Sequence, residues 1–300
     1  MKAFIFPGQG SQYVGMAKEF AADAVVSRFM EEADDILHVN LSRTMLGGPD
    51  DVLKSTDYTQ PAIFLHSMIA LKFTEGLETP SAYAGHSLGE FSALTAAGVF
   101  EYADALKLVH LRGKLMAEAG RRNSGTMAAI IGLESDVLTA LSASVETETG
   151  KIVRPANFNS PGQIVISGSV DGVHEVMKRA KEQGVRIAKE LPVSGAFHSP
   201  LMQYAADGLK EALDSVELNE PSTPVFANVT AQPHGSADEI RNLLVEQLTS
   251  PVRWEESVRA MAEIGITEFT EFGPGKVLQG LVSRTLQSAT VSGVEKPAAN

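Results

Sequence analysis

A short apolar stretch, 81–84, stops at Gly85-His86-Ser87-Leu88-Gly89 and gives way to a helical run of small and apolar residues from about 88 to 97. No other feature limits the fold as much. A strand, G-x-S-x-G and a helix in that order form a nucleophile elbow: the serine occupies a strained tip, and the glycines let strand and helix approach without Cβ clashes. The helix N-terminus then aims amide N–H groups at any charge that forms beside Ser87. A serine N-cap between two glycines fits the same five residues, so the motif alone leaves both readings open.

The rest of the chain suits one large α/β domain with a smaller insertion, and 300 residues are enough for both. A first strand, 3–6, runs into the two-glycine turn Pro7-Gly8-Gln9-Gly10-Ser11. Pro61 is suited to the first position of a buried helix over 62–73. The pattern over 102–119 predicts an amphipathic helix ended by Gly120. After Arg122 the texture changes. Strands at 126–132, 153–157, 163–167 and 186–193, with helices at 134–144 and 170–183, give the β-α-β-β-α-β order of a ferredoxin-like unit. Helices at 201–215 and 237–248 then precede a strand at 267–272, Gly273-Pro274-Gly275 and a final helix. The expected division is a discontinuous core over 1–122 and 199–288, an inserted α+β subdomain over 123–198, and a frayed tail over 289–300.

Composition excludes several classes. No apolar run approaches the roughly 20 residues that cross a bilayer, and a cytoplasmic protein is the simplest expectation. The chain has no cysteine, hence no disulfide and no thiolate site. A net charge of −12 argues against nucleic acid as the main partner. Two local basic stretches remain: 107–122, with Lys107, Arg112, Lys114, Arg121 and Arg122, and 178–190, with Lys178, Arg179, Lys181, Arg186 and Lys189. Gly273-Pro274-Gly275-Lys276 lacks the spacer and the Ser or Thr of a P-loop. Gly8-x-Gly10 lacks the third glycine of a dinucleotide fingerprint. No metal or redox cofactor is expected, and a monomer is the default.

A serine nucleophile needs a base. His66, His110 and His174 fall inside predicted helices, His38 and His234 lie in segments without pattern, and His86 sits beside Ser87 on a turn where neighbours point apart. His198, on the loop Ser194-Gly195-Ala196-Phe197-His198-Ser199-Pro200, is the base by elimination. Arg112 shares a helical stripe with Ala105, Leu108, Leu115 and Ala119 and has no acidic residue at i±3 or i±4. A guanidinium there needs a distant carboxylate, a path to water, or a ligand carboxylate held by its fork.

Seven motifs occur in order: Phe6-Pro7-Gly8-Gln9-Gly10-Ser11-Gln12, Thr59-Gln60-Pro61-Ala62, the elbow through Glu90, Arg112-Gly113, Ala156-Asn157-Phe158-Asn159-Ser160-Pro161-Gly162-Gln163, Phe197-His198 and Phe272-Gly273-Pro274-Gly275. Over about 3–285 the chain resembles malonyl-CoA:acyl carrier protein transacylases, including the freestanding acyltransferases that serve polyketide synthases. The resemblance implies an α/β-hydrolase-like core with a mainly parallel sheet and a ferredoxin-like insertion. It implies Ser87 as nucleophile, His198 as base, and the amides of Gln9 and Leu88 as oxyanion hole. It also implies Arg112 on the malonyl carboxylate, the main-chain carbonyl of Gln247 orienting His198, and Asn157 and Asn159 lining the cleft. Phe197 before the base accompanies malonyl rather than methylmalonyl use, although Gly195 departs from the histidine common at that place. The substrates would be malonyl-CoA and the phosphopantetheine thiol of an acyl carrier protein, in fatty-acid or polyketide synthesis. A hydrolase of the same fold has no use for a carboxylate clamp, so Arg112 counts against it. A docking module with a decayed site would not keep Ser87, His198, Arg112 and Gln9 together.

Overall fold

The structure is a computed structural model that describes residues 1–297. Nine strands occur among them: β1 (Lys2–Phe6), β2 (Ala82–Gly85), β3 (Thr126–Ile131), β4 (Val153–Ser160), β5 (Gln163–Gly168), β6 (Ile187–Glu190), β7 (Val225–Phe226), β8 (Glu268–Phe272) and β9 (Thr290–Val294). They form two sheets.

The larger sheet has the order β7-β2-β1-β8-β9, and every neighbouring pair is parallel. Its central strand explains the unbroken apolar run at the start of the chain. A strand covered on both faces cannot alternate with polar residues, and Ala3, Phe4, Ile5 and Phe6 are all buried. Phe4 and Phe6 face a layer built from the helices Thr56–Lys72, Gly89–Ala96 and Tyr102–Arg122. Ala3 and Ile5 face Trp254, Val258, Leu278 and Leu281 on the helices Trp254–Glu263 and Val277–Thr285. The smaller sheet has the order β4-β5-β3-β6, antiparallel throughout, with its own core under the helices Ser135–Thr149 and Val170–Glu182. That order and chain path are ferredoxin-like, as the element pattern predicts. Two backbone bonds sew the sheets' neighbourhoods together: Phe158 N–H donates to Val252 O (2.9 Å) and Val252 N–H to Ala156 O (2.8 Å).

Three expectations fail, each for a packing reason. The segment over 289–300 is not a frayed tail through its length: β9 pairs in register with β8, from Glu268↔Thr290 to Phe272↔Val294. It is an edge strand, so it needs few apolar side chains, and Val291 and Val294 supply the contacts with the two cores. Residues 298–300 of that segment lie outside the described residues. Pro61 does not open its helix, which begins at Thr56. The bond that its missing N–H cannot make is outweighed by burial of every side chain from Thr59 to Ala70. Gly120 does not stop the Tyr102–Arg122 helix. It is a contact glycine, because a Cβ there would lie 2.2 Å from Ser194 O and 3.2 Å from Gly195 Cα.

The Gly120 contact supports the loop that carries Phe197 and His198. Helix propensity alone favours Gly120→Ala by about 1 kcal/mol. Overpacking against a backbone oxygen costs about 1–3 kcal/mol, so the net change should be destabilising. Thermal unfolding of Gly120→Ala should show a lower Tm together with lower activity. A raised Tm would mean that the loop yields freely.

Candidate active site

Ser87 sits between β2 and the Gly89–Ala96 helix with φ at 52°. A non-glycine residue in that region costs roughly 1–2 kcal/mol, and its surroundings hold it there. A Cβ on Gly85 would lie 1.9 Å from the Gly89 backbone, and one on Gly89 would lie 2.1 Å from Phe6 O. Both glycines are therefore required by close approach. Asn228 clamps the turn from outside: its Oδ1 accepts from Ser87 N–H (2.6 Å) and its Nδ2 donates to Gly85 O (2.6 Å). The serine does not cap the helix. Its Oγ lies 2.8 Å from His198 Nε2.

His198 also has a positive φ, 57°, and is buried. Its Nδ1–H donates to Gln247 O (2.7 Å), a tautomer that leaves Nε2 free to accept from the Ser87 hydroxyl. Burial first, and then the Arg112 charge, push the imidazole down from 6.5 to about 3, against the opposing pull of the Gln247 carbonyl. His198 is thus an unprotonated acceptor over the physiological range. Three of the other histidines have partners elsewhere. His86 Nε2–H donates to Asn159 Oδ1 (2.9 Å), His66 Nε2–H to Glu295 O (2.8 Å), and His234 Nε2–H to Glu90 Oε1 (2.7 Å).

Arg112 is fully buried, which rules out a path to water. Nη1 donates to Gln60 Oε1 (2.7 Å), and Nη2 donates to Gln247 Oε1 (2.8 Å) and Ser87 Oγ (3.0 Å). These are neutral acceptors, and among the described residues no carboxylate hydrogen-bonds to the guanidinium. Burial lowers its pKa to about 10, with Glu90 acting in the opposite direction, so it stays charged. Nε has no partner among the described residues. Three of five N–H bonds are in use, and the fork retains capacity for an anion beside Ser87.

Gln9, Leu88, Asn157, Asn159 and Phe197 line the cleft over Ser87. Among the described residues neither Gln9 N–H nor Leu88 N–H has a backbone acceptor, so both remain available. Gly8 brings the Gln9 loop close, since a Cβ on it would lie 2.5 Å from His86 O. Asn157 and Asn159 come from β4, whose register shifts twice between Pro155 and Ser160. Gln247 contributes more than its main-chain carbonyl: its Nε2 donates to Glu90 Oε2 (2.7 Å) and Ser87 O (3.0 Å). Sequence reasoning assigned no place to Gln60, Glu90, Asn228 or His234. Gln60 and Glu90 lie within recognised motifs, whereas Asn228 and His234 lie where no periodicity marks them. No group of three or more His, Asp or Glu among the described residues is placed to hold a metal ion.

A serine hydroxyl on an imidazole, two open amides and a buried guanidinium meet in one cleft of this α/β fold, an arrangement suited to acyl transfer. The chain belongs to the acyl transferase domain family, whose model matches residues 3–298. It is 45% identical over 298 residues to the malonyl CoA-acyl carrier protein transacylase of Bacillus subtilis (strain 168), covering 98% of this chain and 94% of that protein. It is 43% identical over 300 residues to the protein of the same name from Escherichia coli (strain K12), covering 99% and 96%. The solved acyl carrier protein S-malonyltransferase from Vibrio cholerae superposes with a TM-score of 0.94 at 42% identity, covering 98% and 97%. A malonyl-transacylase solved in complex with its type II PKS acyl-carrier protein gives 0.95 at 41% identity, covering 98% and 96%.

The depressed His198 pKa sets a pH expectation. Its folded value lies below the ordinary 6.5, so the imidazole stays neutral as pH falls through 6.5. The rate of malonyl transfer to carrier protein should therefore stay level between pH 8 and pH 5, read by rapid-quench mass spectrometry. An acid limb centred near 6.5 would mean that the imidazole is not shielded in this way.

Proposed function

We propose that this chain moves a malonyl group from malonyl-CoA to the phosphopantetheine thiol of an acyl carrier protein, through an ester on Ser87. The observation that carries this reading is the line from Gln247 O through His198 to Ser87 Oγ, with Arg112 against the same oxygen. Ser87 Oγ attacks the thioester carbonyl carbon while its proton passes to His198 Nε2. Negative charge builds on the carbonyl oxygen, where the amides of Gln9 and Leu88 receive it. One such donor is typically worth about 10²–10³ in rate. The carbon–sulfur bond then breaks, and His198 returns the proton to the departing sulfur. The carrier thiol enters and reverses the sequence, which gives ping-pong kinetics.

Arg112 supplies substrate choice. A malonyl carboxylate can take N–H groups of its fork without displacing a protein carboxylate, because the present partners are amide oxygens and the Ser87 hydroxyl. Phe197 precedes the base and lines the same cleft, so its ring fills space that an α-methyl branch of the acyl group would need. One methyl group in an apolar pocket is worth about 1–3 kcal/mol, which limits discrimination to roughly 10- to 200-fold.

The carrier is expected to meet the Val170–Glu182 helix. Of the two basic stretches, 107–122 is largely neutralised: Lys107 pairs with Asp104, and Arg121 and Arg122 pair with Glu118. In the other, Arg179 pairs with Glu148 and Glu175, but Lys178, Lys181, Arg186 and Lys189 are exposed. The strand carrying Lys189 continues into Leu191 and Val193 on the cleft wall. Carrier proteins are generally acidic, and complementary charge raises the encounter rate.

Intact-mass measurement after mixing with malonyl-CoA should show one added malonyl group, absent in Ser87→Ala. An adduct that persists in Ser87→Ala removes Ser87 as nucleophile. In the same assay, with malonyl-CoA and methylmalonyl-CoA in competition, Phe197→Ser should raise the methylmalonyl share. An unmoved share places the pocket wall elsewhere. Charge reversal at Lys178 and Lys181 together should raise the KM for holo carrier several-fold and leave that for malonyl-CoA unchanged. Equal KM values before and after would remove this helix from the docking surface.

A further inference from the structure

Beneath the elbow lies a buried polar pair, Glu90 and His234, that none of the chemical steps uses. Glu90 is fully enclosed, and three N–H donors converge on its two oxygens. His234 Nε2–H reaches Oε1 at 2.7 Å, while Asn228 N–H and Gln247 Nε2–H reach Oε2 at 3.0 and 2.7 Å. That pattern suits an acceptor-only carboxylate. His234 is buried as well, and its Nδ1 has no partner among the described residues.

The Gln247 carboxamide therefore stands between a buried cation and a buried anion. Its NH2 end faces Glu90 and its carbonyl end faces Arg112 Nη2. Turned over, the amide would set N–H against N–H at Arg112 and oxygen against oxygen at Glu90. We propose that Glu90, held by His234, is a positioning residue that fixes the direction of the Gln247 side chain and so keeps the Arg112 fork aimed over Ser87. Glu90 touches no substrate atom; it acts through Gln247, and through Asn228 on the elbow. The proposal rests on the reading of Arg112 as the malonyl carboxylate clamp.

Glu90→Gln keeps shape but replaces one acceptor oxygen with an NH2 among converging donors. His234 cannot absorb that change by exchanging tautomers without burying an unpaired Nδ1–H. The aimed fork matters for malonyl-CoA and not for acetyl-CoA, so the informative quantity is the ratio of their kcat/KM values. Glu90→Gln should lower the malonyl-to-acetyl ratio by roughly tenfold or more, the size expected for one hydrogen bond to a charged group. His234→Leu should move the ratio in the same direction by less, and His234→Gln, which keeps an N–H donor, should move it least. Arg112→Ala is measured beside them and should collapse the ratio. If Arg112→Ala collapses the ratio while Glu90→Gln and His234→Leu lower both substrates by one common factor, Glu90 is merely structural and this proposal is overturned. If Arg112→Ala leaves the ratio unchanged, the clamp reading falls and this proposal falls with it. Should Glu90→Gln not fold, the ordered His234 pair carries the same test.

Discussion

The closest constraint in the molecule is the contact between β2, β1 and the helix that follows Ser87. There is no room for a Cβ at Gly85 or at Gly89. Where these backbones meet, the connecting turn passes through a positive φ, and Ser87 occupies it at 52°. The rest of the site is arranged around that strained point. Asn228 ties its tip to the end of β2, His198 approaches its oxygen, and the Gln9 loop lies against His86 because Gly8 also lacks a side chain. The strain is local and is maintained by a parallel sheet whose central strand is buried on both faces.

Charge is handled differently from shape. A buried guanidinium is usually answered by a carboxylate in contact. Here the partners are two glutamine oxygens and a serine hydroxyl, and the nearest anion stands behind one of those amides. This spacing keeps Arg112 charged without consuming its capacity for an incoming anion. It also leaves the buried imidazole beside a positive charge, which keeps His198 neutral with Nε2 open to the Ser87 hydroxyl.

The pattern of elements was readable because it rests on periodicity and on glycines. The alternating strands and helices after Arg122 announce the small sheet, and the elbow announces the large one. The misread places are those where distant contacts decide. Gly120 looks like a helix stop until Ser194 is known to press on it, and Pro61 looks like a helix start until burial on every side is known. An edge strand such as β9 carries little apolar signal of its own. In the site, Ser87, His198 and Arg112 could be found because each breaks a local rule: a turn serine between glycines, a histidine on a braced loop, a cation on an apolar stripe. Glu90 and His234 break none that is visible locally, since their partners lie 144 residues apart in the chain.

The placement of β1 between β2 and β8 has a consequence for how such a chain acquires activity during synthesis. Its first strand has one neighbour at residues 82–85 and the other only at 268–272. A chain on the ribosome can therefore pair β1 with β2 early, yet one edge of its central strand stays bare until nearly the whole sequence has emerged. Gln247, which sets the His198 tautomer, also arrives late. Contacts of such long range make assembly slow, and the exposed edge of β1 is the place where a stalled or truncated chain would pair with another strand.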